Sequence, residues 1–447
     1  MRSVFTTAPP IFKAGLIRPF FVELRFSAMP SLPSITPPTH ALAITLGDAA
    51  GIGPDIVLEA LHTQSPEPHE IWHVWGDLTA LADRAKTLGC QALLAQAQQH
   101  PQITWTQTAQ PNMPAPIRDG AASASALHAA CKWLLEQQAQ ERACILLTGP
   151  VQKTNLHAAG YPVGGQTELL AEGFEQLTGK HYHPNMLFDC LSPSGMLPWQ
   201  NHTYHHSLRM LLLTRHVPLT DIKKGLTPVQ IAVAMQQVVT YLKQVHHIGA
   251  PHLDVLGVNP HAGEIGGDEE ETLLRPAIAL LQKSDPLITI RGPFAADGYF
   301  RDWATQAITP PDAVVASYHD QGLIPVKLIH GFEAVNVTLG LPCLRVSVSH
   351  GTANALSGSG QANPAGWLSA LRLARHCLTA RQPHTALLQK QDTSNGLPQT
   401  AKRLARELIT TLNTPPETIE PTLPESPVNP TEIQLTSRFK RIKRQLR

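Results

Sequence analysis

Short apolar runs, each about the length of a strand, recur along this chain with helical patterns between them. That alternation narrows the fold more than any other feature. The runs are Leu42–Leu46, Cys144–Thr148, Arg209–Thr214, Leu253–Val258, Leu287–Ile290, Ala313–Ser317 and Leu344–Val348. Continuous runs this short suit strands buried on both faces. The clearest helix between them is Thr227–His247, with Thr227 as N-cap, Pro228 in the first turn and Gly249 just beyond the end. Strands alternating with helices predict an α/β protein with a mostly parallel sheet. The first run leads into Gly47-Asp48-Ala49-Ala50-Gly51-Ile52-Gly53-Pro54-Asp55. Its glycines permit a tight turn, and Pro54 fits the first turn of a helix through Asp55–His62.

With 447 residues the chain is too long for one minimal domain and suits two lobes plus tails. Its 43% apolar content supports a sizeable core, and a net charge of +1 gives no basic field for nucleic acid. No apolar run reaches the length of about 18 residues that a membrane span needs. The six cysteines form no C-x-x-C pair, which points to a reducing compartment with the thiols mostly buried as small apolar groups.

The two ends differ from the middle. Residues 1–40 read as an irregular leader. Within it Arg2, Lys13, Arg18 and Arg25 outnumber Glu23, loosely like a targeting peptide, although Met29 as the true start is the simpler reading. Residues 391–447 read as a disordered tail. It carries six prolines between 414 and 430 and a basic end from Arg438 to Arg447. That end is either simply solvated or touches an anionic surface.

Three histidines hold comparable positions. His216, His261 and His319 each fall two or three residues past an apolar run. Ligands of open α/β sheets bind beyond the carboxyl ends of strands, so the three imidazoles converge if those strands are parallel neighbours. Three neutral imidazoles suit a divalent metal and leave positions open for substrate oxygens. Among 22 histidines, chance placement after strands is the competing explanation. Lys327, Asn336 and Arg345 follow His319 at intervals of eight or nine, and suit a phosphate or carboxylate. Ordinary surface cations are the alternative. There is no G-x-G-x-x-G loop after the first strand, no P-loop and no G-x-S-x-G elbow.

Several longer motifs occur in order between Leu42 and Arg375: GDAAGIGPD from Gly47, LTGPVQK from Leu147, HVPL from His216, GVNPHAGE from Gly257, YHDQGLIPVK from Tyr318 and VNVTLGLP from Val335. In these the chain resembles the 4-hydroxythreonine-4-phosphate dehydrogenase family of vitamin B6 biosynthesis. The Gly47–Asp55 turn and the region His350-Gly351-Thr352-Ala353 with Ala362-Asn363-Pro364 also resemble the wider isocitrate and isopropylmalate dehydrogenase group.

The resemblance implies a two-lobed α/β/α subunit, isocitrate/isopropylmalate dehydrogenase-like, in a cytoplasmic homodimer with its active site at the subunit contact. One lobe, on the cofactor side, would take 41–160 and 338–390. The other, for metal, substrate and dimerisation, would take 161–337, with an insertion at about 189–206. The implied ligands of one divalent ion (Zn, Mg, Mn or Co) are His216, His261 and His319. Gln166, Thr167, Lys327, Asn336 and Arg345 would bind substrate. His350, Gly351, Thr352, Ala353 and Asn363 would hold NAD or NADP. Asp320 and Asp297, with Lys327, are the implied catalytic groups.

The implied reaction oxidises 4-phosphohydroxy-L-threonine, a small phosphorylated hydroxy amino acid, and decarboxylates the product to 3-amino-2-oxopropyl phosphate. The alternatives are a dehydrogenase of another four-carbon phosphorylated hydroxy acid, or a non-catalytic ligand-binding homologue. This chain departs from the family pattern at Gln166, where a histidine is usual, at Ser349, where an aspartate is usual, and at Ala355, where the related dehydrogenases place a ribose-binding aspartate.

Overall fold

In the computed structural model the described residues are 40–380 without 111, 192–206 and 306. The leader before His40, most of the insertion and the whole of the 391–447 tail lie outside them.

The chain runs β1 (His40–Thr45), α1 (Gly53–Leu61), β2 (Glu70–Gly76), α2 (Leu78–Leu88), α3 (Gln91–Gln98), β3 (Ile103–Gln107), α4 (Ala115–Ala139), β4 (Ala143–Thr148), α5 (Lys153–Ala158), α6 (Gln166–Thr178) and β5 (Asn185–Asp189). It continues with β6 (Met210–Leu212), α7 (Pro228–Val245), β7 (His252–Leu256), α8 (Arg275–Ser284), β8 (Thr289–Phe294), α9 (Ala296–Ala304), β9 (Ala313–Ala316), α10 (His319–His330), β10 (Val335–Leu339), β11 (Leu344–Val348) and α11 (Ala365–Thr379). The strands form one sheet in the order β3-β2-β1-β4-β11-β10-β5-β6-β9-β7-β8. Seven of its ten pairings are parallel. The three antiparallel pairings all lie in the middle, where β10 runs against β11 and β5, and β5 against β6.

The expected α/β class is therefore present. Six of the seven apolar runs coincide with strands, because both faces of the sheet are covered, while Leu287–Ile290 overlaps only the start of the partly exposed β8. The largest apolar cluster joins α1, α2, α7, α8 and α11 to the sheet. A second cluster packs α4 and α6 against β1 and β4, and a third packs α9 and α10 against β6 and β9.

Helix α7 begins as expected. Thr227 accepts from the backbone of Gln230 and Gln230 reciprocates, a full capping box. Its end is different. The helix stops at Val245, and His247, not Gly249, takes the left-handed backbone (φ 55°) that follows it. The cysteines also differ in degree. All six are free thiols, but only Cys131, Cys190 and Cys343 are buried, and the other three are half-buried. No described helix is long and apolar enough to cross a membrane.

Candidate active site at the ends of three parallel strands

Strands β6, β9 and β7 are consecutive in the sheet and mutually parallel. His216, His319 and His261 follow their carboxyl ends, so the topological condition for convergence is met. Side chains stitch these ends together. Thr214 Oγ1 donates to the Ser317 carbonyl (2.8 Å), the Ser317 N–H donates to Gln321 Oε1 (2.7 Å), and Gln321 Nε2 donates to the Gly257 carbonyl (2.7 Å). Each loop that carries a histidine is thus fixed to its neighbour.

The His216 and His319 rings lie 5.5 Å apart between centroids. Asp320 accepts from His319 Nδ1 at 2.7 Å, which leaves Nε2 as the lone-pair nitrogen. Burial, then the nearby His319 and Arg215, hold His216 below the ordinary histidine range and keep it in the neutral form that binds metals. His261 is exposed at the end of β7 on a left-handed backbone (φ 53°). Among the described residues, no three His, Cys, Asp or Glu side chains gather as a metal-holding group. The donor chemistry of the adjacent His216 and His319 imidazoles suits a divalent ion.

Arg345 lies in β11 opposite Thr338 of β10 and is 3% exposed. Its Nε donates to Thr148 Oγ1 (3.0 Å), and one terminal nitrogen donates to Thr338 Oγ1 (3.0 Å) and Thr167 Oγ1 (3.5 Å). No carboxylate of a described residue lies within ion-pair distance. Glu168, which acts on Arg345 through space, pairs with Arg215 at 2.8 Å. Burial without an anion pulls the guanidinium down to about 10.

Asn336 precedes Thr338 by two residues and so faces the same side of the sheet. Its Oδ1 is buried with no partner. Gln166, the first residue of α6, donates from Nε2 to the Gly149 carbonyl (3.2 Å), and its Oε1 is buried and unpartnered. Thr148 and Thr167, which accept from Arg345, are both buried. Lys327 lies on α10 about two turns beyond His319, and Asp297 lies in the first turn of α9; both are exposed.

The loop after β11 packs on the Gly47–Asp55 turn. Ile52 donates its N–H to the Thr352 carbonyl (2.9 Å), and a Cβ at Gly51 would stand 2.8 Å from that same oxygen. Asp55 accepts the Gly358 N–H (2.7 Å) and pairs with Arg84. His350 meets the Gly351 carbonyl through Nδ1 (3.0 Å), and its Nε2 is buried without a partner. Ala353 is left-handed (φ 42°), and Asn363 accepts the Ala365 N–H (2.9 Å) at the start of α11.

Sequence reasoning missed several members of this site. Thr148 and Thr338 hold Arg345, Arg215 and Glu168 pair beside it, Lys153 acts on His216 through space, and Gln321 joins two strand ends. Adjacency was the available signal, since Arg215 precedes His216 and Glu168 follows Thr167.

Comparison with known proteins gives a consistent picture. A family model described as "Pyridoxal phosphate biosynthetic protein PdxA" matches residues 69–374. A protein of Thermosynechococcus vestitus named 4-hydroxythreonine-4-phosphate dehydrogenase is 36% identical over 346 residues, which span 75% of this chain and 96% of that one. A protein of the same name from Bradyrhizobium diazoefficiens is 35% identical over 362 residues, 76% of this chain and 97% of that one. The crystal structure of 4-hydroxythreonine-4-phosphate dehydrogenase from Klebsiella pneumoniae aligns with a TM-score of 0.57 at 26% identity, covering 76% of this chain and 99% of that chain.

Proposed function

The chain belongs to the PdxA family of pyridoxal phosphate biosynthetic proteins, and on that premise we propose that it is a metal-dependent, NAD- or NADP-linked dehydrogenase. Its substrate is 4-phosphohydroxy-L-threonine, oxidised and decarboxylated to 3-amino-2-oxopropyl phosphate.

The observation that carries the reading is Arg345. A buried guanidinium bonded only to three hydroxyls is an anion site in waiting, because a buried cation is stable only when paired. The unpartnered oxygens of Gln166 and Asn336 beside it supply acceptors for substrate hydroxyl or ammonium groups. Lys327 adds a second cation for the other anionic end.

A bound divalent ion would supply Lewis-acid chemistry toward the substrate hydroxyl and carboxylate, and a nicotinamide would supply the hydride acceptor. His216 and His319 would hold the ion, with Asp320 orienting His319 and Asp320 or Asp297 carrying protons. A third ligand, His261, and a cytoplasmic homodimer whose two copies complete one site belong to the same reading. The loop His350–Ala353 and Asn363 would hold the dinucleotide. The lobe assignment, 41–160 with 338–390 against 161–337, belongs to the same reading.

One observation favours a second reading. Gln166 presents a neutral side chain with an unpartnered buried oxygen where the family pattern implies histidine, which suits a different four-carbon phosphorylated hydroxy acid. The test is reduced-cofactor formation from 4-phosphohydroxy-L-threonine with NAD or NADP and a divalent metal, beside a chelated control and a panel of related acids. Metal-dependent turnover of the first substrate supports the proposal. Turnover of another acid alone supports the second reading, and no turnover of any overturns both.

A further inference from the structure

The loop that carries His261 is built in an uncommon way. His261 and Ala262 both have left-handed backbones (φ 53° and 54°), and Gly263 continues at φ 92°. Two consecutive non-glycine residues in that region persist only where the surroundings hold them. The holding group lies beneath the loop. Glu270 is 1% exposed, and both its oxygens are taken by one residue: Oε1 accepts the Asn259 N–H (2.7 Å) and Oε2 accepts Asn259 Nδ2 (2.8 Å). A Cβ at Gly257 would stand 3.1 Å from Oε1, and one at Gly263 would stand 2.9 Å from Oε2, so the bend closes directly around the carboxylate. Glu270 opens a π-helical turn, Glu270–Leu274, that leads into α8. Such turns re-aim a side chain at the expense of regular helix. No cation of a described residue pairs with Glu270, so its work is to hold Asn259.

We propose that Glu270 is a positioning residue for His261: its buried carboxylate grips Asn259 and holds the 259–263 bend that presents the imidazole beyond β7. This rests on the reading of His261 as a metal ligand.

The test is a double-mutant cycle in the full-length protein stripped of metal. Zinc affinity is measured by competition with a chromophoric chelator for the wild type, Glu270→Gln, His261→Ala and the double variant. Amide hydrogen exchange of residues 257–264 is followed alongside. Glu270→Gln is expected to weaken zinc binding by about 10- to 100-fold, the usual effect of removing a group that orients a ligand. Added to His261→Ala it should weaken binding no further, because it acts through that ring. Exchange in 257–264 should speed up at least severalfold.

Equal losses in both backgrounds, or unchanged exchange in the loop, would overturn the proposal. If wild type and His261→Ala bind zinc equally, or neither binds, the ligand reading of His261 fails, and exchange alone then decides whether Glu270 holds the bend. Should Glu270→Gln not fold, Asn259→Ala removes the Nδ2 contacts to Glu270 and to the neighbouring Glu269 (2.8 Å each) from the other side, with the same expectations.

Discussion

Replacing Arg345 by methionine separates binding from folding, and both effects can be sized from the structure. The fall of the guanidinium from 12.5 to about 10 means that burying it charged costs about 3 kcal/mol in the free protein. The sign is that of a depressed cation. The cost is fully present at all pH values below about 10 and is relieved only above it. Methionine removes that cost but also removes three hydroxyl contacts, each worth about 1 kcal/mol. These terms nearly cancel, so the unfolding free energy should stay within about 2 kcal/mol of wild type. Substrate binding has no such compensation. Deleting one partner of a buried charged contact costs about 2–5 kcal/mol, which is about 30-fold to several thousand-fold in kcat/KM. Lysine, which keeps the charge but loses the planar fork, should fall between. Denaturant unfolding and reduced-nicotinamide absorbance measure the two quantities. The reasoning is refuted if Arg345→Met lowers stability by more than about 4 kcal/mol, or if kcat/KM stays within threefold of wild type.

Three further outcomes can be checked. Gln166→His should make KM rise with pH between about 6 and 8, as an imidazole loses the positive charge that Gln166 never carries; a flat profile places residue 166 away from the substrate anion. Asp320→Asn should weaken zinc binding about tenfold with little change in melting temperature, because the carboxylate orients His319 without burying area; unchanged affinity removes that role. Burial would raise the Asp189 carboxyl, but Arg209 and His246 outweigh it and hold it below the ordinary range. Its contribution is therefore complete above pH of about 4 and is lost as pH falls below that. Asp189→Asn should lower stability by about 3–5 kcal/mol at neutral pH and flatten the acid limb of the stability profile; an unchanged acid limb refutes the assignment.

The strands that were legible in the sequence are those dominated by buried apolar residues, such as β1, β4, β9 and β11, where the polar exceptions are few. Strand β2 was not, because it carries Glu70 and His73 among its tryptophans. Glu70 is tolerated there because Arg375, 305 positions away, binds it at 2.9 Å, and His73 because it stacks on Trp75 at 3.7 Å between centroids. Burial pushes the His73 imidazole down to about 4, so at neutral pH it sits there uncharged. Edge strand β3 is half-exposed, with Thr104, Thr106 and Gln107 interrupting any apolar run. The antiparallel β5 and β10 fall in stretches whose polar residues, Asn185, Asp189 and Asn336, find their roles only through the fold.

In the site, position along the chain was enough to single out His216, His261 and His319, because a strand end is a local property. The identity of Arg345 as an unpaired cation was not legible, because pairing is a property of three dimensions. Two arginines, Arg209 partly buried and Arg345 fully so, show the difference. Arg209 meets Asp189 at 3.1 Å, and Tyr241 and His246 complete the same carboxylate at 2.8 Å each. That network is closed, and it ties the end of β5 to α7 and to the residue before β6. Arg345 is at least as deeply buried, yet it is met only by neutral hydroxyls. A closed network needs no ligand and serves the fold. An open one keeps its electrostatic cost until an anion arrives, and that stored cost becomes binding energy on arrival. The same test sorts the acids. Asp254 is enclosed by Arg291, Tyr299 and His252 and belongs to the fold, whereas Glu270, bonded only to the neutral Asn259, marks the loop that carries His261.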